Sequence, residues 1–193
     1  MTNKVYAVTG GIGSGKSTVS KIIKDCGYEV FSADNVYKEL LKCPDFIKSI
    51  YSALSIENAD ILNFDAKLVS NKVFNDKELL KKLNEATHPK IMQKLIEKSK
   101  SVSGVCFNEV PLLFEGGYEN LYDGVIVVKR DFKLRESDVI KRDNISKEEF
   151  LKRVNNQFDY QKLDNTHTVI TNDGNLKELE VKVKAVLSEI IEG

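Results

Sequence analysis

Short apolar runs alternate along this chain with stretches in which apolar residues recur every three or four positions. The runs at Lys4–Thr9, Glu29–Ser32, Val105–Glu109, Gly124–Lys129 and Thr168–Thr171 are rich in Val, Ile, Phe and Tyr, and their length and composition predict strands. Helical spacing fills the intervals. Val19, Ile22, Ile23 and Cys26 share one helical face directly after the first strand, and Gly27 stands where a C-terminal cap belongs. The last helix is the clearest, with Leu176, Leu179, Val183, Leu187 and Ile190 on one side. Strands alternating with helices predict an α/β fold built on a parallel sheet of five strands.

Two stretches interrupt the alternation. Residues of about 35–100 carry helical signals only. Asn75 and Glu78 have capping-box spacing ahead of Leu79, Leu80 and Leu83; Pro89 predicts a break, after which Ile91, Met92, Leu95 and Ile96 resume the pattern. Residues of about 131–160 read as a helical pair broken near Asn144, with Ser146 and Glu149 capping the second helix. The first stretch suits a cover for a second substrate and the second a lid. Plain helical connections fit both patterns as well.

Composition narrows the field. The 193 residues suffice for one domain with a full core. Basic and acidic residues balance at 29 each, which argues against nucleic acid or an acidic membrane surface as the main partner. No apolar run approaches membrane-spanning length, and the first residues lead into a strand without the pattern of a signal peptide. Cys26, Cys43 and Cys106 are widely spaced, and neither they nor His88 and His167 form zinc spacings, so a reducing cytoplasmic setting is expected. No obligate protein partner is evident.

The candidate chemistry begins after the first strand. Gly10-Gly11-Ile12-Gly13-Ser14-Gly15-Lys16-Ser17-Thr18 has the spacing G-x-x-x-x-G-K-[ST]. Its glycines let successive N–H groups turn inward, and the following helix adds its dipole, so Gly11 through Thr18 form a phosphate cradle. Lys16 is placed for β- and γ-phosphates and Ser17 for Mg²⁺. Asp34 follows the second strand, at the end where α/β sheets bind ligands; it suits a base or metal-orienting carboxylate and equally the N-cap of a helix over 35–41. Glu109 ends the third strand and is placed to order Mg²⁺ through water. Beyond it, Leu112, Leu113 and Phe114 form either an apolar loop that packs on an organic substrate or buried core. His88 is either a structural histidine or a substrate contact.

Only four of the 29 basic residues are arginines, Arg130, Arg135, Arg142 and Arg153, and all lie within 24 residues. A chain that otherwise uses Lys keeps Arg where a planar fork is needed for phosphate oxygens. Phosphate contact is the expectation for Arg142 and Arg153. For Arg130 and Arg135 it is salt bridging on a solvated helix, with Glu136, Asp138 and Asp143 interleaved. No D-x-x-G occurs, and the two N-K-x-x segments at Asn3 and Asn71 lack the final Asp, which excludes a regulatory GTPase and leaves a small kinase.

In order along the chain stand Thr9–Thr18, Ala33-Asp34, His88-Pro89, Val110-Pro111-Leu112-Leu113-Phe114-Glu115, Arg142, Arg153, Gln157, Val169-Ile170, Asn172 and Gly174. This series resembles the dephospho-CoA kinases from Thr9 to about Gly174. The resemblance implies a three-layer P-loop kinase fold: a single domain over 1–193, with a core of about 1–34, 101–130 and 161–193, a CoA-binding helical region of about 35–100 and a lid of about 131–160. It implies transfer of phosphate from ATP, with Mg²⁺, to the ribose 3′-hydroxyl of dephospho-CoA. By that similarity Asp34 is the base, Lys16 and Arg142 act on the ATP phosphates, and Asp34, His88, Leu112, Leu113 and Phe114 meet the acceptor. Three segments depart from the family pattern. Ser32 stands for a usual Asp, Arg135 and Asp138 for a usual Gln and Arg in the lid, and Thr166-His167 for Ala-Asp. Another small-molecule kinase, for a nucleoside, nucleotide or shikimate-like acceptor, shares the cradle and lid. A silent ATP-binding module shares the cradle but has no need of Asp34.

Overall fold

A computed structural model describes residues 3–74, 76–160, 163 and 167–192. It has an all-parallel five-stranded sheet and, among the described residues, eight α-helices. The strands β1 (Lys4–Thr9), β2 (Glu29–Ser32), β3 (Val105–Glu109), β4 (Gly124–Lys129) and β5 (Thr168–Thr171) occupy the five apolar runs read from the sequence. Their order across the sheet is β2-β3-β1-β4-β5. β1 is therefore central, and the connections from it and from β3 leave to opposite sides. That divergence opens a crevice at the carboxyl end of β1, the usual ligand position in such sheets.

The chain divides into two compact units, Met1–Phe31 with Ser99–Gly193, and Ser32–Lys98. In the first, α1 (Lys16–Asp25) and α8 (Leu176–Glu192) pack on the sheet. Val8, Ile23, Phe107, Ile126, Ile170 and Leu187 form much of the core between them. Burying side chains of this size contributes about 1.5–3 kcal/mol each. The α1 helix ends in a Schellman pattern. Gly27 adopts φ 94°, its N–H donates to the Lys24 carbonyl, and the Tyr28 N–H donates to that of Ile23. On α8 the buried residues are Leu179, Val183 and Leu187, whereas Leu176, expected on the same face, is 56% exposed in the first turn. The helices α6 (Phe132–Asp143) and α7 (Lys147–Asn155) follow β4. Asn144 at φ 50° ends α6, and the Ser146–Glu149 capping box starts α7, as the spacing predicts.

The second unit is helical: α2 (Ala33–Leu40), α3 (Pro44–Ala53), α4 (Ala66–Val73) and α5 (Lys77–Lys100), whose last two residues belong to the first unit. Phe46, Ile47, Ile50, Leu54 and Val69 form its core. Pro44 fits the first turn of α3, where its missing N–H costs nothing. Three expectations change here. Asn75 lies outside the described residues, and Asp76 caps α5 by accepting from the Leu79 N–H at 2.9 Å. Pro89 does not break the helix, because α5 runs through it as one element of 24 residues. Two residues earlier, the Thr87 hydroxyl donates to the Leu83 carbonyl, a local bond that helices bend to accommodate. Asp34 is not an N-cap: α2 starts at Ala33 after Ser32, which places Asp34 exposed in the first turn. No helix among the described residues is long and apolar enough to cross a membrane.

Candidate active site

The glycine loop joins β1 to α1 in six residues and is held from several sides. Gly15 adopts φ 94°, and a Cβ there would run into the Asn172 side chain. Asn172, just past β5, donates its side-chain N–H to the Ser14 carbonyl at 2.9 Å. Gln157 reaches in from beyond α7, and its Oε1 accepts from the Ile12 N–H at 2.7 Å. The first two turns of α6 lie on the same loop. A Cβ on Gly11 would come 2.8 Å from Arg135 Nη1, and one on Gly13 would come 2.6 Å from a Val139 methyl. Small residues at 11 and 13 thus serve close approach of α6, in addition to freeing backbone amides for an anion.

Lys16 folds back over this loop, donating to the Gly10 and Gly11 carbonyls at 2.8 and 3.1 Å. The Ser17 hydroxyl donates to Glu109 Oε1 at 2.7 Å, and Glu109 is 8% exposed. Register explains the pair: β1 and β3 are neighbours with Val8 opposite Glu109, so the end of β3 lies beside the loop. Among the described residues, no group of three or more His, Cys, Asp or Glu could hold a metal. One hydroxyl and one carboxylate nonetheless fit Mg²⁺, which takes few protein oxygens and completes its shell with phosphates and water.

A cleft of about 800 Å³ opens beside the loop, lined among others by Gly11, Arg130, Phe132, Arg135, Gln157 and Tyr160. That volume suits a small organic ligand. The Tyr160 hydroxyl lies 3.3 Å from both Thr9 Oγ1 and the Pro111 carbonyl, and burial pushes its pKa well above the ordinary phenol value. Phe114 stacks on Phe158 at 4.9 Å and meets Tyr160 and His167. Leu113 is fully buried, so the expected substrate contact is corrected to core packing, while Leu112 and Phe114 stay half-buried. Phe158 and Tyr160 belong to this wall although no periodicity singled them out.

The arginines divide differently from expectation. Arg130 pairs with Asp138 at 2.7 Å, as a salt bridge on the helix predicts. Arg135 does not: it is 9% exposed, it forms no ion pair among the described residues, and its Nε is buried with no hydrogen-bond partner. Arg142 forks onto Asp143, with Nε at 2.7 Å and Nη2 at 3.2 Å, and Arg153 reaches the same carboxylate at 3.0 Å. The hydrogen bond from Arg142 chiefly holds the Asp143 carboxyl below its ordinary pKa.

In the helical unit, His88 is half-buried in α5, and burial lowers its pKa. A hollow of about 460 Å³ there is lined by Tyr51, Asn63, Phe64 and Lys67 among others. Of the departures noted above, Thr166 lies outside the described residues.

The family model for dephospho-CoA kinase matches residues 4–178. A dephospho-CoA kinase of Fusobacterium nucleatum is 35% identical over 187 residues, covering 95% of this chain and 97% of that protein. A solved dephospho-CoA kinase from Campylobacter jejuni is 32% identical with a TM-score of 0.71, and a Thermus thermophilus structure is 31% identical with a TM-score of 0.80; each comparison covers 98% of both chains. A gluconokinase from Sinorhizobium meliloti, at 14% identity and a TM-score of 0.57 over 98% of this chain and 94% of its own, shares the fold alone.

Proposed function

As a member of the dephospho-CoA kinase family, this chain catalyses ATP-dependent phosphorylation of dephospho-CoA to coenzyme A, and we propose which residues carry each part of that transfer. The observation that carries the assignment is the Ser17–Glu109 pair at the mouth of a glycine loop whose lysine is already turned inward. The loop residues Gly11 through Thr18, with the Lys16 ammonium, receive the phosphates of ATP. Ser17, with Glu109 through water, would hold Mg²⁺, which would supply charge neutralisation to the phosphates when bound.

Asp34 accepts the proton of the ribose 3′-hydroxyl as that oxygen bonds to the γ-phosphorus and the bond to the β-phosphate oxygen breaks, releasing ADP. Its support is position, an exposed carboxylate two residues past the carboxyl end of β2. Arg142 is the cation for charge developing on the transferred group. Its present partner, a carboxylate bound bidentately, has the geometry that a phosphate would take over. His88 with Leu112 and Phe114 contacts the acceptor. The hollow lined by Tyr51, Phe64 and Lys67 supports a binding role for the helical unit, and the α6–α7 pair is the lid. Three free thiols accord with a reducing cytoplasm.

The test is turnover of Mg-ATP and dephospho-CoA followed by mass spectrometry. The product is heavier by one phosphate, and nucleosides and shikimate stay unmodified. Asp34→Asn lowers kcat by about 10²–10⁴-fold, the usual contribution of a general base, with both substrates still bound. Full turnover by Asp34→Asn would remove Asp34 from the mechanism.

A further inference from the structure

Three of the four arginines have a carboxylate: Arg130 has Asp138, while Arg142 and Arg153 share Asp143. Arg135, the most enclosed of the four, has none among the described residues. The nearest acidic group, Asp131, is engaged elsewhere. It caps α6, accepting from the Lys133 and Leu134 N–H groups at 2.8 and 3.2 Å. Burial holds the Arg135 guanidinium below its ordinary pKa, with only the field of Asp131 opposing, and the Phe132 ring lies 5.8 Å from its central carbon. A buried cation without an anion is costly, and folded proteins normally supply the anion from their own side chains.

The position of this cation identifies the missing anion. Arg135 lines the cleft and lies against Gly11. Lys16 is bonded to the carbonyl of the same residue at 3.1 Å. Two cations therefore converge on one glycine of a loop built to receive phosphate. Gly11 permits it, since a Cβ there would crowd Nη1 at 2.8 Å. Asp131, Asp159 and Asp173 also line the cleft, but none of them forms an ion pair with Arg135, and Gln157, the other side chain near Gly11, is neutral.

We propose that Arg135 is a phosphate receptor, which binds the triphosphate of the nucleotide at Gly11 alongside Lys16. The inference rests on the nucleotide reading of the loop and adds a residue to it. One corollary is specific. In the empty enzyme the unpaired charge works against stability, and nucleotide binding relieves it. Removing the charge while keeping the stem therefore has opposite effects on stability and on affinity.

The experiment compares wild type, Arg135→Met and Arg135→Lys by calorimetric titration with ATP and with inorganic tripolyphosphate, and by thermal melting without ligand. Arg135→Met is expected to melt at or above the wild-type temperature, and to bind both ligands about 10–100-fold more weakly, the range of a charge-assisted forked contact. Its affinity for dephospho-CoA stays within twofold of wild type. Arg135→Lys keeps the charge without the fork and falls between the two. Tripolyphosphate binding by Arg135→Met within twofold of wild type overturns the proposal. A lower melting temperature with unchanged binding also overturns it, because Arg135 would then only fasten α6 to the loop. Should Arg135→Met fail to fold, Arg135→Lys decides: weakened tripolyphosphate binding sustains the proposal and unchanged binding ends it. Turnover of dephospho-CoA by wild type tests the underlying reading separately, since it requires no particular role for Arg135.

Discussion

Arg135 and Arg142 lie seven residues apart on α6 and end in opposite surroundings. The helical repeat puts them on one face. One is enclosed against the glycine loop without a counter-ion, and the other, with 64% of its side chain exposed, is held in a fork by its neighbour Asp143. The difference is position along the axis. The loop's glycines meet the first two turns of α6, through Arg135 and Val139, whereas in the last turn Arg142 is followed by a carboxylate and the capping residue Asn144, which end the helix. Which way a side chain faces is written in the repeat; what it faces depends on how far along the helix the opposing surface extends.

The strongest way to break this contrast is to spoil the loop-facing half. Val139 is 1% exposed, and Val139→Lys puts a further unpaired cation beside Gly13 and Arg135. Chemical denaturation should register a loss of about 3–5 kcal/mol, as for other uncompensated buried charges. At the exposed end the sign of the experiment changes. Arg142→Gln should leave stability within about 0.5 kcal/mol and yet lower kcat by about 10²–10³-fold, the cost of one transition-state donor. Steady-state kinetics paired with melting curves separates the two outcomes.

A smaller effect sharpens the loop side. Gly11→Ala displaces the Arg135 fork and should weaken ATP binding about tenfold in wild type but hardly in Arg135→Met, a non-additivity that a double-mutant cycle reads directly. The smallest effect is a pH response confined to the far end. Asp143 has a carboxyl pKa lowered from 3.8 by Arg142. A depressed folded value means that the clasp contributes fully above the unfolded value. Its contribution is lost as pH falls below 3.8 and through the folded value. Hydrogen exchange between pH 5 and pH 3 should rise around Asp143 and Ser146 before it rises around Arg135, and Asp143→Asn should abolish the difference.

Much of this architecture was legible beforehand, and the errors have a common origin. Strand positions, the turn at Asn144, the Ser146–Glu149 box and the cap at Gly27 depend on neighbours in sequence, and each stands where local chemistry puts it. Arg135 was misread because Glu136 and Asp138 sit close on the helix and look like partners. In the fold Lys147 takes Glu136, and Arg130 takes Asp138. Pro89 was read as a break, but α5 continues through it. Leu113 carries no mark distinguishing a wall of a cleft from the core beneath it; only the sheet's geometry decides. The motif spacing located Lys16 and Ser17, whereas the Ser17–Glu109 bond needed the β1–β3 register, which joins residues 92 apart.

Both roots of the α6–α7 segment are fastened at the carboxyl edge of the sheet. The Asp131 N–H donates to Asp173 Oδ1 at 2.7 Å just past β5, and the Tyr160 hydroxyl meets Thr9 and the Pro111 carbonyl. Such a segment is a strap rather than a dangling arm. Its arginines remain a ligand tethered to their own receptor, at an effective concentration in the millimolar range that dilution cannot lower. A single cleavage near Asn144 would leave each half still attached, Arg142 through α6 and Arg153 through α7, so a nicked chain keeps both cations while losing the stiffness with which one helix carries the other.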